Sequence, residues 1–296
     1  MEKPTKFTKK EIIVSVCCVV FLFMNLGAIG SSGRRRAKEM VCLSNLSKWG
    51  SIFEMYTNDN NGFFQAGVGD GHANHWFNAL RAYYHNDHRI CCCPVASIPL
   101  DVDSDGRMDN ISCAFSAWGV YNAEDDNGYD TNGDWGSYGI NGWVENPPAQ
   151  YTTVYENFNT ANNWRTPNVE GAEFIPLFTD ALRYSSFPQE TDSPPQVEDM
   201  AWQSMEHMRR VCLNRHDGAV NCLFLDFSAR KVGLKELWTL NWHRSFNRFN
   251  PWTPVGGVMP EDWPQWMRNF KEFEDTTDPT LGLPTVESGR KTGLSR

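Results

Sequence analysis

The chain has no surplus of positive charge. Its 27 Lys and Arg are outnumbered by 36 Asp and Glu, for a net charge of −9. A nucleic-acid binder shows a basic face, so no nucleic-acid partner is expected. No G-x-S-x-G and no H-E-x-x-H occurs, which removes two common hydrolase signatures. No Cys-x-x-Cys occurs, and with it goes a thioredoxin-like redox motif. No internal repeat is visible either. What is abundant is aromatic surface and thiol: 12 Trp and 9 Cys in 296 residues. That length suits one large domain or two small ones. The cysteine count suits an extracytoplasmic protein with disulfides, or a cysteine-rich metal protein.

Residues Ile12 to Gly30 carry no charge, and Ser15 and Asn25 are the main polar interruptions. The run is about long enough to cross a bilayer as a helix. Lys3, Lys6, Lys9 and Lys10 precede it; Arg34, Arg35, Arg36 and Lys38 follow. The two flanks are nearly balanced, so the positive-inside rule does not orient it. A single-pass anchor fits. So does a secretory signal peptide cut near "AIGSSG". Apolar residues then continue at helical spacing: Met40, Leu43, Leu46, Trp49, Phe53 and Tyr56. No Pro interrupts Phe7 to Tyr56, and "NDNNG" (Asn58–Gly62) supplies a stop. The expectation is one helix over 7–57, apolar all round over 12–30 and one-sided beyond.

The head, residues 58–270, is loop-rich. "EFIPLFTD" (Glu173–Asp180) reads as a strand, with Pro176 marking an edge or a bulge. "RRVCLNRHDGAVNCLFLDFS" reads as a hairpin turning at Asp217-Gly218. That register makes Cys212 and Cys222 equidistant from the turn. "KELWTLNWHRSF" reads as a short helix. Residues 271–296 are polar and Pro/Gly-containing, as expected of a disordered tail. The expected class is α+β: one long N-terminal helix and a mostly antiparallel sheet with long loops. Trp238, Trp242, Trp252, Trp263 and Trp266 form either packing for such a head or a glycan platform; packing is the commoner use.

Several stretches invite chemistry. "HNDHRICCCP" (His85–Pro94), with His72 and His75 upstream, holds many zinc ligands. Three adjacent cysteines cannot readily share one ion, since neighbouring side chains in extended backbone point opposite ways. A reactive thiol would need a lowered pKa, and His88 and Arg89 lie close by. "DVDSDGRMDN" sets Asp101, Asp103, Asp105 and Asp109 in the D-x-D-x-D-G pattern of a calcium loop. The usual Glu at the twelfth position is replaced by Ser112. Outside the apolar run lie Cys42, Cys91, Cys92, Cys93, Cys113, Cys212 and Cys222. That number is odd, so one thiol is free or intermolecular.

Phe7, Thr8 and Glu11 resemble the N-terminal motif of type IV pilin-like proteins and type II secretion pseudopilins (G-type). The likeness extends to "CLSNLSKWGSIFEMYTNDNNGFF", "SYGINGW", "NRHDGAVNCLFLDFSARKVGLKELWTLNWHRSFN" and "PEDWPQWMRNFK". It points to the large-headed set of planctomycete-like bacteria and covers most of the chain. The resemblance implies a pilin-like fold and a leader, residues 1–6, cut before Phe7 by a prepilin peptidase. It implies methylation of the new N-terminus and pairing of Glu11 with a neighbouring subunit's amine. A carboxylate at the edge of a membrane run is costly and needs such a partner. Lys6 stands where the family has Gly, and Lys9 and Lys10 stand where it has apolar residues. It implies a disulfide, Cys42–Cys93, matching a family cysteine at the stem–head junction and a "CP" in the head. Closing that loop is worth about 4 kcal/mol on the entropy model. His216 and Asp226 match an H-x9-D arrangement of unknown role; Phe227 follows where Gly is frequent. The implied function is a non-catalytic membrane subunit of a secretion or pilus-like filament. It would span the inner membrane once, with its N-terminus cytoplasmic, its head periplasmic or extracellular, and its helix the surface for self-association. The alternative is a membrane-anchored glycan-binding protein that does not polymerise.

Overall fold

The computed structural model describes residues 9–67, 75–85, 87–96, 98–99, 113–119, 134–154, 156–198 and 206–271. For 11–12, 19–20, 22–29 and 31 only the helical backbone is described. The leader at 1–6, Phe7, His72, the calcium-type loop with Asp101, Asp103, Asp105 and Asp109, and the tail at 272–296 lie outside the described residues.

The chain is α+β. Helix α1 runs from Lys9 to Asp59, about 75 Å at ~1.5 Å per residue. It ends where the turn chemistry predicts. Asn61 and Gly62 take φ of 56° and 82°, and the Gly62 amide donates back to the Thr57 carbonyl at 2.7 Å. Such left-handed closure satisfies carbonyls that a helix end leaves open. Two one-turn helices follow, α2 (Trp76–Ala79) and α3 (Arg81–Tyr84). Among the described residues no helix is long and apolar enough to cross a membrane.

The strands are β1 (Ile98–Pro99), β2 (Ser116–Gly119), β3 (Trp135–Gly136), β4 (Tyr138–Asn141), β5 (Thr153–Val154), β6 (Phe158–Asn159), β7 (Pro176–Asp180), β8 (Ser185–Ser186), β9 (Ala219–Phe224) and β10 (Ala229–Gly233). The main sheet has the order β10-β9-β7-β4-β8. It is mixed: β4 and β8 are parallel and the other pairings antiparallel. Pro176 sits in a central strand, where the β7–β9 register slips between Pro176 and Phe178. A bulge there tolerates the missing donor.

The hairpin expected at Asp217-Gly218 forms one element later. The true hairpin is β9–β10, closed by Leu225–Ser228, with Phe227 at φ +63°. Asp217 and Gly218 do make a tight turn, at φ 51° and 77°. The residues before it build no strand, because Arg215 and His216 turn inward to a buried carboxylate. Cys212 and Cys222 are therefore not cross-strand partners; both are buried free thiols. The helix expected from Lys235 is a short 3-10 turn, Lys235–Thr239.

Two cores flank the sheet. On one side α1 lies against β9 and β10, burying Cys42, Leu46, Trp49, Ile52 and Phe53. The expected seam holds at Leu46, Trp49 and Phe53, with Tyr56 packed on the same core, and departs at its N-terminal end. Met40 is exposed and Leu43 only half-buried, while polar Asn45 is buried and donates to the Arg89 and Cys92 carbonyls at 3.4 and 3.2 Å. On the far side Trp143, Phe187, Val220, Phe224, Trp238, Trp242 and Trp263 pack together.

Candidate functional site

Four distant segments meet beneath α1. Cys42 comes from the helix. Cys93 follows the 3-10 turn His88–Ile90, which Asp87 caps through the Arg89 amide. Its loop is clamped to the sheet: the Cys93 amide donates to Ser137 Oγ at 2.7 Å, and the Ser137 amide to the Cys91 carbonyl at 3.0 Å. Asp180 ends β7. His216 sits just before β9, where its amide donates to the Ala219 carbonyl at 3.0 Å. One ligand atom from each of these residues lies within 4.8 Å of all the others. All four residues are buried.

The contacts are specific. Cys93 Sγ stands 3.4 Å from His216 Nε2. His216 Nε2 stands 3.2 Å from Asp180 Oδ2. Cys42 Sγ stands 3.9 Å from both oxygens of Asp180 and accepts the Tyr138 hydroxyl at 3.2 Å. Asp180 Oδ2 also accepts the Asn221 amide at 2.8 Å. The other oxygen, Oδ1, pairs with Arg215 Nη1 at 3.0 Å, both side chains fully buried. Arg215 spends its remaining donors on the carbonyls of Ala114, Ser116, Ser137 and Ala181. A buried ion pair is tolerable only with its surplus donors satisfied in this way.

These neighbours set the charge states. Burial raises Cys93, but hydrogen bonds from Cys42 and His216 outweigh it and hold the thiol at about 7. Burial opposes a charged His216, yet the bonds to Asp180 and Cys93 push it up to about 10. Burial, then the bond to Cys93, pushes the Cys42 thiol well up. Asp180 is held below the usual carboxylate range: burial opposes this, and His216 and Arg215 prevail. The cluster thus presents one thiol, one thiolate-prone sulfur, one imidazolium and one carboxylate.

Three chemistries are open to such a set. A nucleophilic triad needs its base to hold the nucleophile with one ring nitrogen and the orienting carboxylate with the other. Here Nε2 of His216 faces both Cys93 and Asp180. No relay through the ring is possible, and the sulfur is fully buried. A disulfide needs only Cys42 and Cys93, which the fold brings together as free thiols. A metal centre uses all four.

Of the residues singled out in the sequence, Cys42, Cys93 and His216 converge here. Asp226 does not: it lies exposed in the β9–β10 turn, where Oδ1 accepts the Ser228 amide and hydroxyl at 3.0 and 2.7 Å. Its role is to shape that turn. The side chain of Glu11 is not described. From "HNDHRICCCP" only Cys93 joins the cluster. His85 is an exposed left-handed helix cap. His75 is buried against Phe77 and Tyr184 rather than set out for a metal. Trp238, Trp242 and Trp263 are buried, and Trp252 and Trp266 half-buried, so the tryptophans are core rather than platform. Asp180 and Arg215 were missed. Their signals were faint: a carboxylate closing an apolar strand, and a cation beside His216.

No family model matches the chain, and neither does any curated protein or solved structure. What the fold and site define is an α+β head clasped to a long helix through one buried polar cluster.

Proposed function

We propose that the chain is a pilin-like, non-catalytic membrane subunit. Its stem packs with other stems in a secretion or pilus-like filament, or waits in the inner membrane before assembly. The head faces the periplasm or exterior. One observation carries this reading. Among the described residues, the second half of α1 buries against the head, while Ile13, Val14 and Val16 of the first half are exposed. Exposed apolar side chains of this kind mark an interaction surface. Over residues 9–34, before the first contact of α1 with the head at Arg35, the stem is about 40 Å long at ~1.5 Å per residue. Cleavage before Phe7 and pairing of Glu11 with a neighbour's amine belong to the same proposal. The buried tryptophans lend no support to the glycan-binding alternative.

Cys17 and Cys18 are native reporters, exposed on the projecting stem. Mild oxidation of intact membranes should yield a ladder of cross-linked chains. The ladder should vanish in a Cys17→Ser/Cys18→Ser double variant. Recovery of the chain only in the soluble fraction, or only as monomers after oxidation, refutes the assembly reading. Intact-mass analysis of the same sample reads the leader: a retained Met1–Lys6 refutes processing.

A further inference from the structure

We propose that Cys42, Cys93, Asp180 and His216 bind one zinc ion, and that this ion locks the stem helix to the sheet. The inference is independent of the assembly reading.

The geometry carries it. Zinc–ligand bonds are about 2.3 Å to sulfur and about 2.0 Å to nitrogen or oxygen. A tetrahedron of those bonds has edges of roughly 3.3 Å between nitrogen and oxygen, and roughly 3.5 Å between sulfur and either. The corresponding separations here are 3.2 Å (His216 to Asp180), 3.4 Å (Cys93 to His216) and 3.9 Å (Cys42 to Asp180). Three edges are thus within about 0.4 Å of a coordination shell's, and the remaining ligand pairs lie within 4.8 Å. Two thiolates, an imidazole and a carboxylate form a set that suits zinc better than calcium or magnesium, which take oxygen ligands.

The charges also close. Two thiolates and Asp180 bring three negative charges. A divalent ion and the Arg215 guanidinium bring three positive ones. A fully buried site is thereby neutral, and Arg215, otherwise an expensive group in a core, becomes its counter-ion. Supporting contacts are in place around the ligands: Tyr138 donates to Cys42 Sγ, and Arg215 holds the second oxygen of Asp180. Such outer contacts fix ligand orientation. On binding, both thiols and His216 Nε2 lose their protons to solvent as bonds to zinc form. No electron changes hands. Ligands from four separate segments make the ion a tie between helix and sheet.

The test uses the untagged full-length chain, purified in zinc-containing buffer and then dialysed. Elemental analysis should find about one zinc per chain. Replacement by cobalt(II) should give thiolate charge-transfer and tetrahedral d–d absorption. A chelator should lower the thermal midpoint, and zinc should restore it. In denaturant with chelator and no reductant, Cys42 and Cys93 should both alkylate. His216→Gln, which leaves both cysteines, should reduce bound zinc to background. Three results on the wild-type chain alone would overturn the proposal: zinc at background, equimolar iron or copper instead, or a mapped Cys42–Cys93 disulfide. None depends on a variant that folds.

Discussion

On the face of the sheet that meets α1, a regular helix covers regular strands, and one buried polar cluster sits in the seam. Among the described residues, the other face has no helix of comparable length. That core is closed by loops and short 3-10 turns, filled with tryptophan and phenylalanine. Loops carry backbone groups that no ladder satisfies. Here the indoles satisfy some of them: Trp238 donates to Asp192, Trp242 to Leu237, Trp143 to Pro188 and Trp266 to Pro195, each at a carbonyl. A tryptophan thus does two jobs on the far face, filling volume and replacing a missing ladder bond. On the stem face Trp49 does both across an interface, meeting Trp76 edge-on and Tyr84 and Phe178 at a tilt while donating to Ile90.

The sharpest way to separate the two faces is to empty one core at a time. Trp49→Ala and Trp238→Ala should each destabilise by about 3–5 kcal/mol in urea titrations. Their local consequences should differ. Hydrogen exchange should rise along 42–57 of α1 in the first, and along 235–267 in the second. Matching exchange patterns would mean the two cores are one cooperative unit.

Acid should discriminate next. His207 lies in the far core, where Nδ1 accepts the Phe187 amide at 2.8 Å. Burial, with the nearby Arg210, holds its pKa at about 3. Glu156, 3.5 Å from Nε2, does not outweigh that burial. The unfolded chain protonates this ring near ~6.5 while the folded chain does not. Its stability contribution is therefore complete above ~6.5 and falls as pH drops toward 3, by about 1.4 kcal/mol per pH unit. Equilibrium unfolding at pH 7, 6, 5 and 4 isolates that slope as the difference between the wild-type chain and His207→Gln. His207→Gln should be shallower by that amount, and an unchanged slope would remove His207 from the acid response.

The smallest effect belongs to the rim of the stem face. Arg35 meets Asp217 at 3.2 Å, both well exposed. Arg35→Ala should change stability by less than about 0.5 kcal/mol. A larger loss would show that the docked helix depends on its rim as well as its seam.

The sequence made the stem legible because helical periodicity and the "NDNNG" stop are local signals. It missed the N-terminal end of the seam because Asn45 occupies a core position by hydrogen bonding, which a hydrophobic pattern does not reveal. It misplaced the hairpin for a related reason. Asp217-Gly218 has the chemistry of a hairpin turn, yet Arg215 and His216 are drawn to Asp180 before a strand can form. Cys42 and Cys93 were paired through the family resemblance rather than through any spacing. Asp180 could not be joined to them, since it lies 138 residues from Cys42 and gains its partners only when β7 and β9 align. Phe227 sets a bulky aromatic residue at a left-handed turn position that favours Gly.

The side chains of Asn45 and Trp49 both donate to carbonyls of the segment 89–92. A helix that slid by one turn would move its side chains by about 5.4 Å and strand those donors, at about 1–3 kcal/mol each. The stem therefore cannot work as a piston within the head. A pull along its axis would load this loop in shear and pass as tension through Ser137 into the sheet, so the head would follow the rod as a rigid cap.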